Sequence, residues 1–209
     1  MSALGYLLLA PELAEFRDAT IQRLLAGARD ANTAERATVA LMLGSWGVAP
    51  RAFLVDPDLQ VRAAAALAPS LDADPAALAE IRLALADPGR ADEWFSAGAV
   101  PHLGGRFRFA LLKALLRRTR DFDEVLSEAL AVARMTNAYA VDSDWGPLLE
   151  RAFPKSHNAG EPVTRAQREF LSAIVNNDDC WVRIANPWRW FDRAGLPHDR
   201  EGLRALVTG

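Results

Sequence analysis

The amino-acid sequence predicts an all-α protein, and three observations carry that expectation. Apolar residues recur three to five positions apart in almost every segment between glycine and proline breaks, the spacing that gathers them on one face of a helix. Hardly any segment shows the strict alternation of a half-buried strand. Successive apolar segments are joined by short corners built on aspartate and proline, which end one helix and start the next.

Taken in order, Pro11 and Glu12 open the first helix, Leu13, Phe16, Ile21, Leu24 and Leu25 form its apolar stripe, and Gly27, Asp30 and Asn32 suit its end. Thr33 is placed to cap a second helix that buries Val39, Leu41, Met42 and Leu43 before Gly44 and Gly47 interrupt it. From Phe53 a short apolar helix runs into Asp56-Pro57-Asp58, and an alanine-rich helix follows. Pro57 fixes φ and lacks an amide hydrogen, while Asp58 can accept from the next amides. The alanines 63–66 let two rods approach closely, because small side chains leave little between the axes and alanine costs least in helix propensity. A second corner, Ala86-Asp87-Pro88-Gly89, follows Ile81, Leu83 and Leu85. Phe107 to Arg118 and Phe122 to Thr136 read as a third pair around Arg120-Asp121-Phe122-Asp123. A further helix is expected from Asp142 or Ser143 to about Phe153, then an exposed loop from Pro154 to Pro162. Thr164 caps a helix with Phe170, Leu171, Ile174 and Val175 as its buried stripe, broken by residues 176–179. Trp181, Trp188, Trp190 and Phe191 crowd the next segment, Gly195 and Pro197 stop it, and Asp199 caps the last helix.

Asp58, Val61, Arg62, Ala64 and Leu67 resemble the HEAT-repeat family, whose repeats pair two antiparallel helices around an aspartate-containing turn followed by Val-Arg and small residues. The resemblance extends over about residues 33–137. It implies a right-handed α-α superhelix of stacked helix pairs, with residues 1–153 as the repeats and residues 154–209 as a C-terminal helical cap that closes the apolar edge of the stack. Asp56 and Asp87 lie 31 residues apart, short of the usual period of about 40 to 47, and no Val-Arg follows the second corner.

Composition narrows the function classes. With 209 residues, 51% of them hydrophobic and 24% charged, the chain can bury a large core unaided. Cys180 is the single cysteine, so no intramolecular disulfide and no cysteine-held metal centre can form, which favours the reducing cytoplasm. The apolar run from Leu4 to Ala10 is too short, and wrongly flanked, for a signal peptide or a membrane span. The net charge of -3 disfavours nucleic acid as a partner. Of the basic residues 22 are Arg and only two, Lys113 and Lys155, are Lys, a bias typical of a GC-rich bacterial genome that makes any isolated Arg weak evidence for chemistry.

Three groups could carry function. Arg106, Arg108, Lys113, Arg117, Arg118 and Arg120 place six positive charges in fifteen residues, either as a ridge on one helix or as a solvated face paired with Asp121, Asp123, Glu124 and Glu128. Asp142, Ser143, Asp144 and Trp145 combine two carboxylates with an aromatic ring. They suit a glycosidase-like site of the kind found in HEAT-like DNA glycosylases, or simply a helix start with a core tryptophan. The C-terminal tryptophans, interleaved with Arg183, Arg189 and Arg193, form either a docking patch or the core of the cap. His102, His157 and His198 show no metal-ligand spacing, Gly104 and Gly105 form no phosphate loop, and Ser127 and Ser172 sit in no nucleophile elbow, so no metal or cofactor is expected. The expectation is a non-enzymatic scaffold binding a protein or peptide through a concave helical face, with Arg62, Trp94, Arg106, Arg108, Asp142, Asp144 and Trp145 as binding candidates. A nucleic-acid binder or glycosylase using Asp144, Trp145 and residues 106–120 is the first alternative. A small-molecule-binding accessory protein is the second.

Overall fold

A computed structural model of the chain describes residues 14–95, 105–158, 161–182 and 187–208. Among the described residues there are 11 α-helices and no strand. The start of the first helix and the Leu4 to Ala10 run lie outside them. None of the described helices is long and apolar enough to cross a membrane. The chain divides into two compact units, Met1–Arg118 and Thr119–Gly209. The division falls within the stretch read as continuous repeats, so the helices after Arg118 share a unit with the C-terminal ones.

The first unit contains α1 (Ala14–Gly27), α2 (Thr33–Ser45), α3 (Leu59–Ala66), α4 (Pro75–Leu85), α5 (Pro88–Glu93) and α6 (Phe107–Arg118), with 3-10 turns at Arg51–Val55 and Pro69–Leu71. Its helices pack mainly against their neighbours in sequence: α2 on α3, α3 on α4, and α4 and α5 on α6. The α2 and α3 rods touch closely because Gly44 carries no side chain. A Cβ there would lie 2.9 Å from the Cβ of Ala68, inside any normal contact distance. Ala63, Ala64, Ala65 and Ala66 are all buried, as the close approach demands.

Side-chain chemistry at the helix starts departs from the sequence reading in two places. Asn32, not Thr33, caps α2: its carboxamide accepts from the Glu35 amide at 3.0 Å, and Glu35 accepts from the Asn32 amide at 3.0 Å. Asp58 occupies the N-cap position of α3 but makes no side-chain cap. Its carboxylate is taken instead by α2, from Arg36 Nη2 at 2.7 Å and the Thr33 hydroxyl at 2.8 Å. Asp56 holds the corner, accepting the Asp58 amide at 2.9 Å and Arg36 Nε at 2.8 Å. Burial alone would raise the Asp56 carboxyl, but the Arg36 and amide hydrogen bonds outweigh it and keep the carboxyl below its ordinary value. Prolines open both α4 and α5, and Asp74 and Asp87 cap them through the amides of Ala76 and Arg90, each at 3.0 Å.

The C-terminus of α3 is closed from α6. Arg118, with 1% of its side chain exposed, donates to the carbonyls of Ala66 at 2.6 Å and Ala68 at 3.2 Å and pairs with Asp72 at 2.9 Å. Arg117 grips the same carboxylate at 2.6 Å. The hydrogen bond from Arg117, with the adjacent charge of Arg118, holds the Asp72 carboxyl below the usual carboxylate range.

The second unit contains α7 (Leu126–Met135), α8 (Val141–Ala152), α9 (Arg165–Val175), α10 (Trp188–Ala194) and α11 (Arg200–Thr208), with 3-10 turns at Asp123–Val125 and Asp178–Cys180. Here α9 is central, packing on both α7 and α11, while α10 packs on α8. Thr164 and Gln167 form the expected capping box on α9, and Phe170, Leu171, Ile174 and Val175 are its buried stripe. The fully buried Trp145 ring lies 6.4 Å from both Trp181 and Phe191, and Trp181 stacks on Phe191 at 5.9 Å. Gly195 ends α10, and Asp199 accepts from the Gly202 amide in the first turn of α11.

Two outcomes follow from the packing. Gly44→Leu is expected to lower unfolding stability by about 1–3 kcal/mol through overpacking against Ala68, read as a drop in urea midpoint at constant slope. Because the Asp72 carboxyl is depressed in the folded state, the stability it contributes is present above about pH 4 and is lost as pH falls below that. Asp72→Asn is therefore expected to cost about 1–3 kcal/mol at pH 7 and to make the acid loss of stability shallower. An unchanged pH profile in the variant would remove Asp72 from this role.

Candidate functional site

Most of the charges in the basic stretch are spent inside the first unit. Arg108 is fully buried, its guanidinium and its amide both bonded to Asp92, and Arg106 reaches the same carboxylate at 3.5 Å. Arg117 and Arg118 close on Asp72. The acids that hold these four arginines lie earlier in the chain, so they differ from the acids at 121–128 that the sequence suggested. Lys113 and Arg120 are exposed. Arg62 is a strut: its Nη1 donates to the carbonyls of Asp56 and Pro57 at 2.8 and 2.9 Å, and its Nε to Glu80 of α4 at 2.8 Å. Trp94 packs its ring 5.9 Å from Phe107, and its carbonyl accepts from Gln60 at 2.9 Å.

The enzyme-like group near the start of α8 separates into two fates. Asp144 and Trp145 have no exposed surface. The Thr136 hydroxyl lies 2.9 Å from an Asp144 oxygen, and the Trp145 indole N–H is buried without an acceptor. Neither residue caps the helix, since the N-cap position is Ala140 and carries no side-chain bond. Asp142 is exposed and fastens α10, accepting from Trp190 Nε1 at 2.7 Å and pairing with Arg189 at 2.8 Å. The Trp190 ring lies so close over Gly146 that a Cβ there would come within 2.6 Å of it. The guanidiniums of Arg189 and Arg193 stand 4.9 and 5.0 Å from its centroid. Trp145, Trp181 and Trp190 thus serve packing, while Trp188 is 53% exposed.

Among the described residues no cluster of His, Cys, Asp or Glu could hold a metal ion. His157 packs edge-on against Phe153, and His198 lies 3.4 Å from Asp192. His102, Gly104 and Arg183 lie outside the described residues. Cys180 is buried with its thiol 3.1 Å from the Thr136 carbonyl. Burial foremost, and then the charges of Asp144 and Asp179, push that thiol up to about 12.

Among the described residues the second unit carries a cleft of about 490 Å³ where α7 and α11 pack on α9. Leu130 and Arg134 contribute from α7, Val207 from α11, Arg168 and Ser172 from α9, and Asn176 from the C-cap that follows it. Ala173 and Asn177 also line it. The Asn177 carboxamide binds the carbonyls of Ala133 and Thr136 at 2.7 and 2.8 Å and so ties the end of α7 to the end of α9. The guanidiniums of Arg134 and Arg168 make no hydrogen bond or ion pair among the described residues, and both residues are exposed. Glu169 at the rim is engaged by Arg165 at 2.8 Å. Of the cleft's side chains the sequence reading weighed Ser172 alone, and only to set it aside as a nucleophile. The legible signal was the i, i+4 spacing of Arg168, Ser172 and Asn176, a polar stripe on the side of α9 away from its buried one.

Searches of protein-family models, curated proteins and solved structures found no match to this chain.

Cys180 supplies a check on the buried cluster. Because the thiolate is the reactive form and the folded protein holds the thiol protonated and covered, an aromatic disulfide reagent is expected to label the native chain only as fast as it unfolds, and at once in urea. Labelling of the native chain at the speed of a free thiol would show that the cluster around Thr136 and Asp144 opens readily.

Proposed function

We propose that the chain is a non-enzymatic, HEAT-like helical scaffold of bacterial type that works in the cytoplasm by binding a protein or peptide partner. In this reading the antiparallel helix pairs stack as a right-handed superhelix, and the C-terminal helices act as its cap. The succession of contacts α2, α3, α4 and α6 and the Asp-Pro-Asp corner tied by Arg36 and Arg62 support the repeat reading, since solenoid units contact chiefly their neighbours. Cytoplasmic residence agrees with a lone reduced cysteine.

The observation that carries a binding function is the burial of the group best suited to catalysis. Asp144 and Trp145 offer no surface to a substrate, and the arginines that a nucleic-acid site would need at 106, 108, 117 and 118 are held by Asp92 and Asp72. The second unit presents a groove between helices instead.

Titration with duplex and single-stranded DNA at low salt is expected to show no binding. Tight binding that weakens linearly with the logarithm of salt would replace this reading with the nucleic-acid one. A partner captured from native extract is expected to rebind the purified full chain at fixed stoichiometry. Failure of every captured protein to rebind would defeat the scaffold reading.

A further inference from the structure

The cleft of α7, α9 and α11 has a chemistry specific enough to name what enters it. Its two guanidiniums, Arg134 and Arg168, come from different helices, line one groove, and have no carboxylate or carbonyl among the described residues to satisfy them. Arg36, Arg62, Arg117, Arg118 and Arg200 each bind a carboxylate, a helix-end carbonyl or both, whereas Arg134 and Arg168 bring their guanidiniums to one groove. A guanidinium offers planar donors that match a carboxylate fork in two parallel hydrogen bonds. The same groove is lined by the Ser172 hydroxyl and the Asn176 carboxamide, 3.4 Å apart, which can bond a peptide main chain, and by the apolar Leu130, Ala173 and Val207. The volume of about 490 Å³ lies in the range of ligand sites, roughly 300 to 1,000 Å³.

Resting on the protein-binding reading above, we infer that this cleft takes an acidic peptide segment of a partner, with two of its carboxylates on Arg134 and Arg168 and apolar side chains against Leu130 and Val207. A phosphate backbone fits less well. It needs a continuous basic track, whereas these two cations share the groove with apolar and uncharged polar groups and with Glu169, whose carboxylate is engaged by Arg165, on a chain of net charge -3.

The test uses the full chain and three fluorescent peptides of equal length, with alternating Glu and Leu, Gln and Leu, or Lys and Leu, read by anisotropy. The Glu peptide is expected to bind, to weaken as salt screens the charges, and to lose at least about tenfold in affinity with R134Q/R168Q. The Lys and Gln peptides are expected not to bind. The variant changes two exposed side chains, so its circular dichroism and urea midpoint should match those of the parent. Arg134→Lys with Arg168→Lys should recover only part of the affinity, because an ammonium lacks the fork.

Equal binding of the Gln peptide, no binding of the Glu peptide at about 1 mM, or full binding by R134Q/R168Q would each overturn the assignment. Competition by duplex DNA at lower concentration than the Glu peptide would overturn it in favour of a phosphate ligand. Concentration-dependent dimerisation abolished by R134Q/R168Q would do so in favour of a second copy of this chain. A partner captured from extract that rebinds the R134Q/R168Q chain undiminished would sink the acidic-segment assignment while leaving the scaffold reading intact, so the two failures remain distinguishable.

Discussion

A helix leaves its last carbonyls without partners inside itself, and in a chain of short helices these orphan groups make up a large share of the buried backbone. The fold depends on their satisfaction by donors from other elements. Arg118 reaches from α6 to the end of α3, Gln60 binds the carbonyl of Trp94 after α5, and Asn177 spans the end of α7. Gln167 covers Ala152 at the end of α8, and Trp181 with Arg200 closes α9. Each bond satisfies a carbonyl whose burial unpaired would cost about 1–3 kcal/mol, and each fixes one helix against a second segment.

This requirement changes the meaning of an arginine-rich composition. Guanidinium groups are long, always charged and multiply donating, which suits them to binding a helix end and a carboxylate at once. Arg118 does so with Asp72, and Arg62 does so with the Asp56-Pro57 corner and Glu80. A cluster of basic residues in the sequence therefore became internal bracing. Arg134 and Arg168 are exposed and hold no such partner among the described residues, and they share one groove.

Much of the fold was legible because local signals agreed with each other. The helix at 165–175 followed from Thr164, Gln167 and its apolar stripe; the α3 corner followed from Pro57; the close approach of α2 and α3 followed from alanines. Caps were less legible where two neighbours could serve. Asn32 and Thr33 are both capable residues, and the choice went to Asn32 because the Thr33 hydroxyl is drawn to Asp58, 25 positions away. The carboxylates near the start of α8 were ambiguous for a similar reason. Residues two positions apart on a helix point in different directions, so Asp142 faces solvent and Trp190 while Asp144 faces the interior. Which of the two is buried depends on where α10 and the Thr136 loop pack.

What the sequence by itself determined is the helical character of the chain and the position of most of its corners. These rest on periodicity, proline geometry and capping, whose reach is one or two turns. Only the tertiary structure decided which charges are spent and which remain. An ion pair such as Arg117 with Asp72 joins residues 45 positions apart, and no local rule distinguishes it from an open guanidinium at Arg134. Electrostatic pairing follows distance in space, and that distance is set by the packing of apolar stripes.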